Sequence, residues 1–371
     1  MPRCAAMSPT PSHSPVRVLI ADDSSFMRAA LARMVESDDS LRVVGTARDG
    51  LEAIAQIDAL QPDVVTLDLD MPGLSGLETL KRVMSESPRP VIIVSGLARR
   101  GAEDTLTALE LGAFDCVAKR LSYDYGDVVK VQEELVNKIK TAAHPNTPAT
   151  RLRGQRDGPS HQPASAHLGP AVTAVDVPSI IAIGTSTGGP TALEQILRTL
   201  PADLPAAILI VQHMPAGFIG PLAKRLNDLS PLQVHEAQEG QLITAGHVYL
   251  APGGQHLTAH RLSSAEVRVH LSLFPDRAPH IPSVDVMMCS VAEVFGASVM
   301  GIILTGMGDD GARGMEAIFH EGGLTVGQDE GTCVVYGMPR SCEEIGVLRE
   351  VVPLCKIPPR ILTALRYRKP H

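Results

Sequence analysis

No apolar run in this chain reaches the ~18 residues that a membrane-spanning helix needs. The N-terminal stretch MPRCAAMSPTPSHSP is rich in proline and serine and lacks the apolar core of a secretory signal. Residues 1–15 therefore read as a disordered tail. Paired cysteines are missing too. Cys4, Cys116, Cys289, Cys333, Cys342 and Cys355 are scattered, with no CxxC. That argues against a disulfide frame or a zinc site and for reduced thiols in a cytoplasmic protein. There is no basic excess: the formal net charge is −8. A nucleic-acid-binding protein would carry a positive footprint, and none is written here.

What is present is enough apolar residue to build a core. Of 371 residues, 44% are hydrophobic and 20% charged, the balance of a globular protein with about two domains. Val16–Ala21, Leu41–Thr46, Asp63–Leu67, Val91–Val94 and Phe114–Ala118 are short apolar runs. Segments with helical spacing separate them, and a last helix over Asp127–Lys140 closes the unit. This alternation predicts a doubly wound α/β domain over residues 16–140. Residues 141–177, with HPNTPATRLRGQRDGPSHQPASAHLGP, are rich in Pro, Gly, Ser and Thr and read as a flexible linker. A second α/β domain, 178–371, begins with SIIAIG. Helices are expected at Thr191–Leu200, Gly217–Leu229, Val284–Phe295, Ala312–Glu321 and Arg360–Tyr367, and an antiparallel, β-rich insert around Val248–Leu273.

In the first domain Asp22 and Asp23 follow the first strand, Asp68 the third, Ser95 the fourth and Lys119 the fifth. A doubly wound sheet gathers such residues in the crevice at the carboxyl ends of its strands. Three converging carboxylates need a cation, and oxygen ligands with room for water suit Mg²⁺. A hydroxyl and an ammonium beside them can hold phosphoryl oxygens. One acid at a strand end is usually a solvated loop residue; five polar residues at successive strand ends are harder to explain so.

The stretches VRVLIADDSSFMR and VVTLDLDMPGLSGLE, with the lysine ending FDCVAK, resemble the flavodoxin-like receiver domain of bacterial response regulators. The resemblance implies that Asp68 accepts a phosphoryl group from a histidine kinase. It implies Mg²⁺ on Asp22, Asp23 and Asp68, with Ser95 and Lys119 contacting the phosphate. Two positions depart from the family pattern: Arg120 stands where a proline is usual, and Cys116 where an aromatic switch residue is usual. Neither belongs to the phosphorylation chemistry.

The second domain places Ser186 in GTSTG, a G-x-S-x-G turn between a strand and a helix. Glycines permit the sharp turn, and Pro190 suits the first helical position. Such a loop can also cradle a phosphate at a helix N-terminus. A serine nucleophile needs a base and an orienting acid. His213 follows the next apolar run, in VQHMP. Asp309 and Asp310 follow another, in LTGMGDDGARG, and Asp285 is a further acid candidate. Each alone is weak, since acids before glycine are ordinary turn formers. Together they would line one edge of one sheet. The order Ser…His…Asp is not that of α/β-hydrolases, so the expected fold is a Rossmann-like parallel sheet of another kind. His256 and His260 lie in an alternating, strand-like pattern that favours surface polar residues over a metal pair.

IGTSTGGPTAL, VQHMPAGF, APGGQHL, IPSVDVMM, ILTGMGDDGARG and GQDEGTCVVYGMPR resemble the catalytic domain of the chemotaxis protein-glutamate methylesterases. That family implies a Ser186–His213–Asp310 triad and selects Asp310 over Asp309. The substrates it implies are glutamate methyl esters on chemoreceptors, releasing methanol, and receptor glutamines, which are deamidated. No cofactor is expected for the ester chemistry. Backbone N–H groups of Thr187 and Met307 are the oxyanion candidates. A receiver, a tether and a hydrolase together suggest an enzyme switched on by phosphorylation, with the unphosphorylated receiver hindering the Ser186 edge. An output domain that only binds a partner predicts instead that Ser186→Ala is harmless. A phosphate-binding module predicts ligand at the glycine loop and no serine adduct.

Overall fold

The computed structural model describes residues 14–96, 99–119, 125–144, 177–263, 266–276 and 278–367, with only the backbone given for 99–100 and 125–127. Most of the expected tail and linker, and Arg120, lie outside the described residues. The chain divides into two compact units, residues 1–95 with 119–154 and residues 96–118 with 155–371, and its strands form two parallel sheets and a hairpin.

The first sheet carries β1 (Val16–Ala21), β2 (Leu41–Ala47), β3 (Val64–Leu67), β4 (Val91–Ser95) and β5 (Asp115–Ala118) in the order β2-β1-β3-β4-β5. This is the flavodoxin-like doubly wound order. β1 pairs with β2 and with β3, and β3 with β4, all parallel. Helices α1 (Ser25–Val35), α2 (Gly50–Leu60), α3 (Gly76–Glu86), α4 (Arg99–Glu110) and α5 (Tyr125–Ala142) connect or follow the strands. Their starts are written locally. Ser24 and Asp49 cap α1 and α2 by accepting the N–H three residues on, and Ser75 with Glu78 forms a reciprocal capping box on α3. β3 is buried throughout, as a strand covered on both faces must be.

The second sheet has seven strands. They are β6 (Ile180–Thr185), β7 (Ala207–Gln212), β8 (Gln233–Glu236), β9 (His247–Leu250), β12 (Val299–Ile303), β13 (Leu324–Gln328) and β14 (Glu350–Val352). Their order is β14-β13-β12-β6-β7-β9-β8, and every pairing is parallel. β10 (His256–Ser263) and β11 (Glu266–Ser272) form a separate antiparallel hairpin. Helices α6 (Gly189–Leu197), α7 (Ala216–Leu229), α8 (Val284–Phe295), α9 (Ala312–His320), α10 (Met338–Glu344) and α11 (Ile357–Ala364) accompany them. Ile180, Ala182, Leu209, Val211, Met287, Met288 and Val291 belong to one buried cluster between sheet and helices.

Three expectations are corrected. The antiparallel insert does not begin at Val248: His247–Leu250 is a strand of the parallel sheet, and the antiparallel hairpin comes after it. Short apolar runs look alike in either setting, because the partner strand decides the direction. His256 is not a surface residue but fully buried, whereas His260 is exposed. The alternation found the strand but not what covers its first residue. Helix α10 and strand β14 were not anticipated. MPRSCEE is short and polar, and EVV is too brief to carry a period.

Candidate active site

The sheet order explains why residues far apart in sequence meet. β6 lies between β7 and β12, so the chain leaves β6 toward one side and later returns on the other. That reversal opens a crevice at the carboxyl ends of the strands. Ser186 directly follows β6, His213 directly follows β7, and Asp310 lies in the loop between β12 and α9.

The turn holding Ser186 is tied down by its backbone. Ser186 N–H donates to the Thr305 carbonyl at 3.0 Å, and His213 N–H to the Thr185 carbonyl at 3.0 Å. Gln212 Nε2 donates to both the Ser186 carbonyl (2.8 Å) and the His213 carbonyl (3.0 Å). One buried amide therefore staples the serine turn to the histidine turn. Gly188 has φ +82°, in the left-handed region, which glycine enters without a Cβ clash. A Cβ on Gly306 would lie 2.9 Å from Ser186 Cβ, so the loop after β12 passes against the serine only because residue 306 has no side chain.

His213 Nε2 sits 2.7 Å from Asp310 Oδ2. Its other nitrogen, Nδ1, is buried and has no hydrogen-bond partner among the described residues. The ring of His280 stacks on His213, with centroids 4.3 Å apart. Asp310 takes three further donors. Ser283 Oγ donates to Oδ1 at 2.8 Å, Asp285 N–H to Oδ1 at 3.0 Å and Val284 N–H to Oδ2 at 2.8 Å. Two of these are first-turn N–H groups at the start of α8, which the helix itself leaves without a carbonyl partner and where a helix favours negative charge. Burial alone would raise the Asp310 carboxyl. The hydrogen bond and charge of His213, with the N–H groups of Asp285 and Val284, instead hold it well below the usual carboxylate range.

Asp285 performs the reciprocal task. Its Oδ1 accepts the N–H groups of Gly311 and Gly314, both at 2.9 Å, and its Oδ2 accepts Arg313 Nε at 2.9 Å. Each of the two acids thus caps the other's helix: Asp310, just before α9, holds the start of α8, and Asp285, in α8, holds the start of α9. Asp309 is exposed, and its carbonyl takes the Ala312 N–H. Of the three candidate acids, only Asp310 touches His213.

Thr187 is buried and Met307 partly so. Thr305 Oγ1 donates to the Thr187 carbonyl at 2.8 Å and accepts the N–H groups of Val334 (3.1 Å) and Val335 (3.0 Å). Gln328 Oε1 accepts Thr305 N–H at 2.9 Å. Gln212, Thr305 and Gln328 were not singled out in the sequence. The available signal was a polar residue at the end of an otherwise apolar run, a position with many uses.

In the first unit Asp22, Asp23 and Asp68 offer carboxylate oxygens within 4.8 Å of one another. Lys119 Nζ lies 2.8 Å from Asp22 Oδ2 and 2.6 Å from Asp68 Oδ2. Lys119 N–H donates to the carbonyl of Ser95, which is buried at the end of β4. Burial would lower the ammonium, but Asp22 and Asp68 together raise it. Asp68 is itself raised, first by burial and also by Asp22, and Lys119 only partly opposes this. One cation shared by two buried carboxylates leaves the acids under-compensated. Three hard oxygen donors in this state fit a small divalent cation that keeps some of its water.

The family model described as CheB methylesterase matches residues 181–361, and that of the response regulator receiver domain matches 18–125. A Symbiobacterium thermophilum protein named protein-glutamate methylesterase/protein-glutamine glutaminase is 46% identical over 357 residues, covering 95% of this chain and 97% of its own. A protein of the same name from Halalkalibacterium halodurans is 45% identical, covering 92% and 96%. The crystal structure of the Thermotoga maritima CheB methylesterase catalytic domain is 40% identical with a TM-score of 0.49, covering 50% of this chain and 98% of that one.

Proposed function

The chain belongs to the protein-glutamate methylesterase/protein-glutamine glutaminase family, and on that premise we propose that Ser186, His213 and Asp310 are its catalytic triad. Its activity is hydrolysis of glutamate methyl esters and of glutamine side chains in proteins. The substrates are sites on methyl-accepting chemoreceptors, and the setting is the cytoplasm. No helix among the described residues is long and apolar enough to cross a membrane. The observation that carries the reading is the His213–Asp310 hydrogen bond at the carboxyl edge that also holds Ser186.

Both reactions are acyl transfers to water. His213 Nε2–H donates a hydrogen bond to the Asp310 carboxylate, which leaves Nδ1 as the base. As Ser186 Oγ attacks the side-chain carbonyl, Nδ1 takes its proton. The carbonyl oxygen becomes an oxyanion, for which the N–H groups of Thr187 and Met307 are the proposed donors. When the tetrahedral intermediate collapses, the C–O bond to methoxide breaks and His213 returns the proton, releasing methanol. With glutamine the C–N bond breaks and ammonia leaves. Water then attacks the acyl-enzyme with His213 again as base, giving glutamate and free Ser186. The ring is turned relative to the familiar template, where Nδ1 faces the acid and Nε2 the serine.

The receiver makes the enzyme responsive to a chemotaxis histidine kinase. An Asp68 oxygen attacks the phosphorus of a phosphohistidine, so a P–O bond forms as the P–N bond breaks and histidine departs. Mg²⁺ held by Asp22, Asp23 and Asp68 would offset the charge of the phosphoryl oxygens. Lys119 pairs with the new group, and the Ser95 hydroxyl hydrogen-bonds it.

The test is methanol release from a methyl-esterified receptor fragment and ammonia release from its glutamine form. A small phosphodonor such as acetyl phosphate should raise both rates several-fold in the presence of Mg²⁺. Asp68→Asn should remove phosphoryl incorporation and this stimulation while keeping the basal rate. Absence of methanol with folded protein would overturn the substrate assignment. Stimulation surviving in Asp68→Asn would overturn the assignment of the phosphorylation site.

A further inference from the structure

Behind the Asp310 carboxylate stands a buried histidine that the reaction scheme does not use. His256 opens β10 and has no exposed surface. Both ring nitrogens are engaged. Ser283 N–H donates to Nδ1 at 3.1 Å, and Nε2 lies 3.2 Å from the Pro275 carbonyl. An N–H can only donate and a carbonyl can only accept. The ring is therefore neutral, with its proton on Nε2, and Nδ1 is the acceptor for Ser283.

Ser283 is the N-cap of α8. Its Oγ accepts Val286 N–H at 3.3 Å and donates to Asp310 Oδ1 at 2.8 Å. The next two backbone N–H groups, Val284 and Asp285, also bind Asp310. One hydrogen-bonded line thus runs from Pro275 through His256, Ser283 and Asp310 to His213. The orientation of the α8 cap decides where three of the four donors to Asp310 point, and His256 Nδ1 holds the first N–H of that cap. A buried N–H without an acceptor is costly, so the cap turn cannot rotate away from His256 freely.

We propose that His256 is a positioning residue for the esterase and deamidase reactions. By accepting the Ser283 N–H, it fixes the helix start that fixes Asp310 and, through it, the His213 ring. This inference rests on the triad reading above. It assigns to Nδ1 the part that matters for turnover, and to the Nε2–Pro275 bond only an anchoring of the loop after the hairpin.

Two half-mimics separate these parts. Asparagine places its Oδ1 where Nδ1 was and can accept from Ser283 but does not reach Pro275. Glutamine places its Nε2 where the ring Nε2 was and reaches Pro275 but leaves Ser283 N–H unpaired. In the full-length protein, His256→Gln should lower kcat more than tenfold with KM nearly unchanged. His256→Asn should recover kcat to within about threefold of wild type, although each variant loses one buried hydrogen bond and both should melt at similarly lowered temperatures. Equal kcat in the two variants, or the reverse order, would overturn the proposal, as would activity that simply follows melting temperature.

A second measurement uses the unaltered chain. Imidazole nitrogen NMR should show His256 as the neutral Nε2–H tautomer, and finding the proton on Nδ1 would also end the idea. Labelling by a fluorophosphonate distinguishes the two levels. No adduct at Ser186 in wild type would sink the triad reading itself. An adduct in wild type, with equal rates in the Asn and Gln variants, would sink only the role of His256.

Discussion

Replacing Ser186 by alanine should lower kcat for methyl-ester hydrolysis by about 10⁴–10⁶-fold, the range seen when a serine hydrolase loses its nucleophile. Ser186 is held through its own backbone: its N–H donates to the Thr305 carbonyl, and its carbonyl accepts Gln212 Nε2 and the Gly189 N–H. Removing Oγ touches none of them, so the melting temperature should stay within a degree or two. The variant should also lose covalent labelling by a fluorophosphonate, with the site of the wild-type adduct read by mass spectrometry. An alanine variant that hydrolyses the ester at more than a hundredth of the wild-type rate would show that Ser186 is not the nucleophile. It would then revive the reading of the glycine turn as a ligand cradle.

The second large effect is at Asp310, and it has two parts. Asp310→Asn should reduce kcat by about 10³–10⁴-fold, because the amide can no longer hold the imidazole in the required tautomer or stabilise its charged form. KM should move little, since Asp310 touches no substrate in this scheme. Combined with Ser186→Ala, the substitution should add almost nothing, because members of such a set act as a unit. Unlike Ser186, Asp310 is also structural. Its carboxylate takes four donors, from Ser283, Val284, Asp285 and His213. Asp310→Ala would strand the buried ones, at a cost of about 3–5 kcal/mol in unfolding free energy.

The sign of the pH dependence follows from the direction of the shift. The folded carboxyl is held below its ordinary value of 3.8. Its stabilising contribution is therefore fully present above about pH 4 and is lost as pH falls through the lower, folded value. In Asp310→Asn the acid limb of the stability curve should be shallower below pH 4, measured by denaturant melts between pH 2.5 and 7. An unchanged acid limb would mean that the carboxylate is not held as described.

Some of this was legible in the chain before any fold was known. Where a strand stops and a helix begins is a local matter. The apolar runs and the glycine turn around Ser186 act within a few residues of themselves. The alternation of runs set the α/β class. Since polar residues at the ends of parallel strands share one edge of their sheet, it also brought Asp22, Asp23, Asp68, Ser95 and Lys119 forward as one group, and Ser186, His213 and the Asp309–Asp310 pair as another.

The strand neighbours were another matter. Nothing local says that β6 lies between β7 and β12, that His247–Leu250 runs parallel, or that His256 faces inward from a strand with the same alternation as an exposed hairpin. Nor does spacing distinguish Asp310, which meets His213, from Asp285, which holds the glycines of the next helix. Period and propensity report how a segment is built. Only the packed sheet decides which distant partner meets each side chain, because a hydrogen bond depends on distances of about 3 Å that sequence separation does not encode.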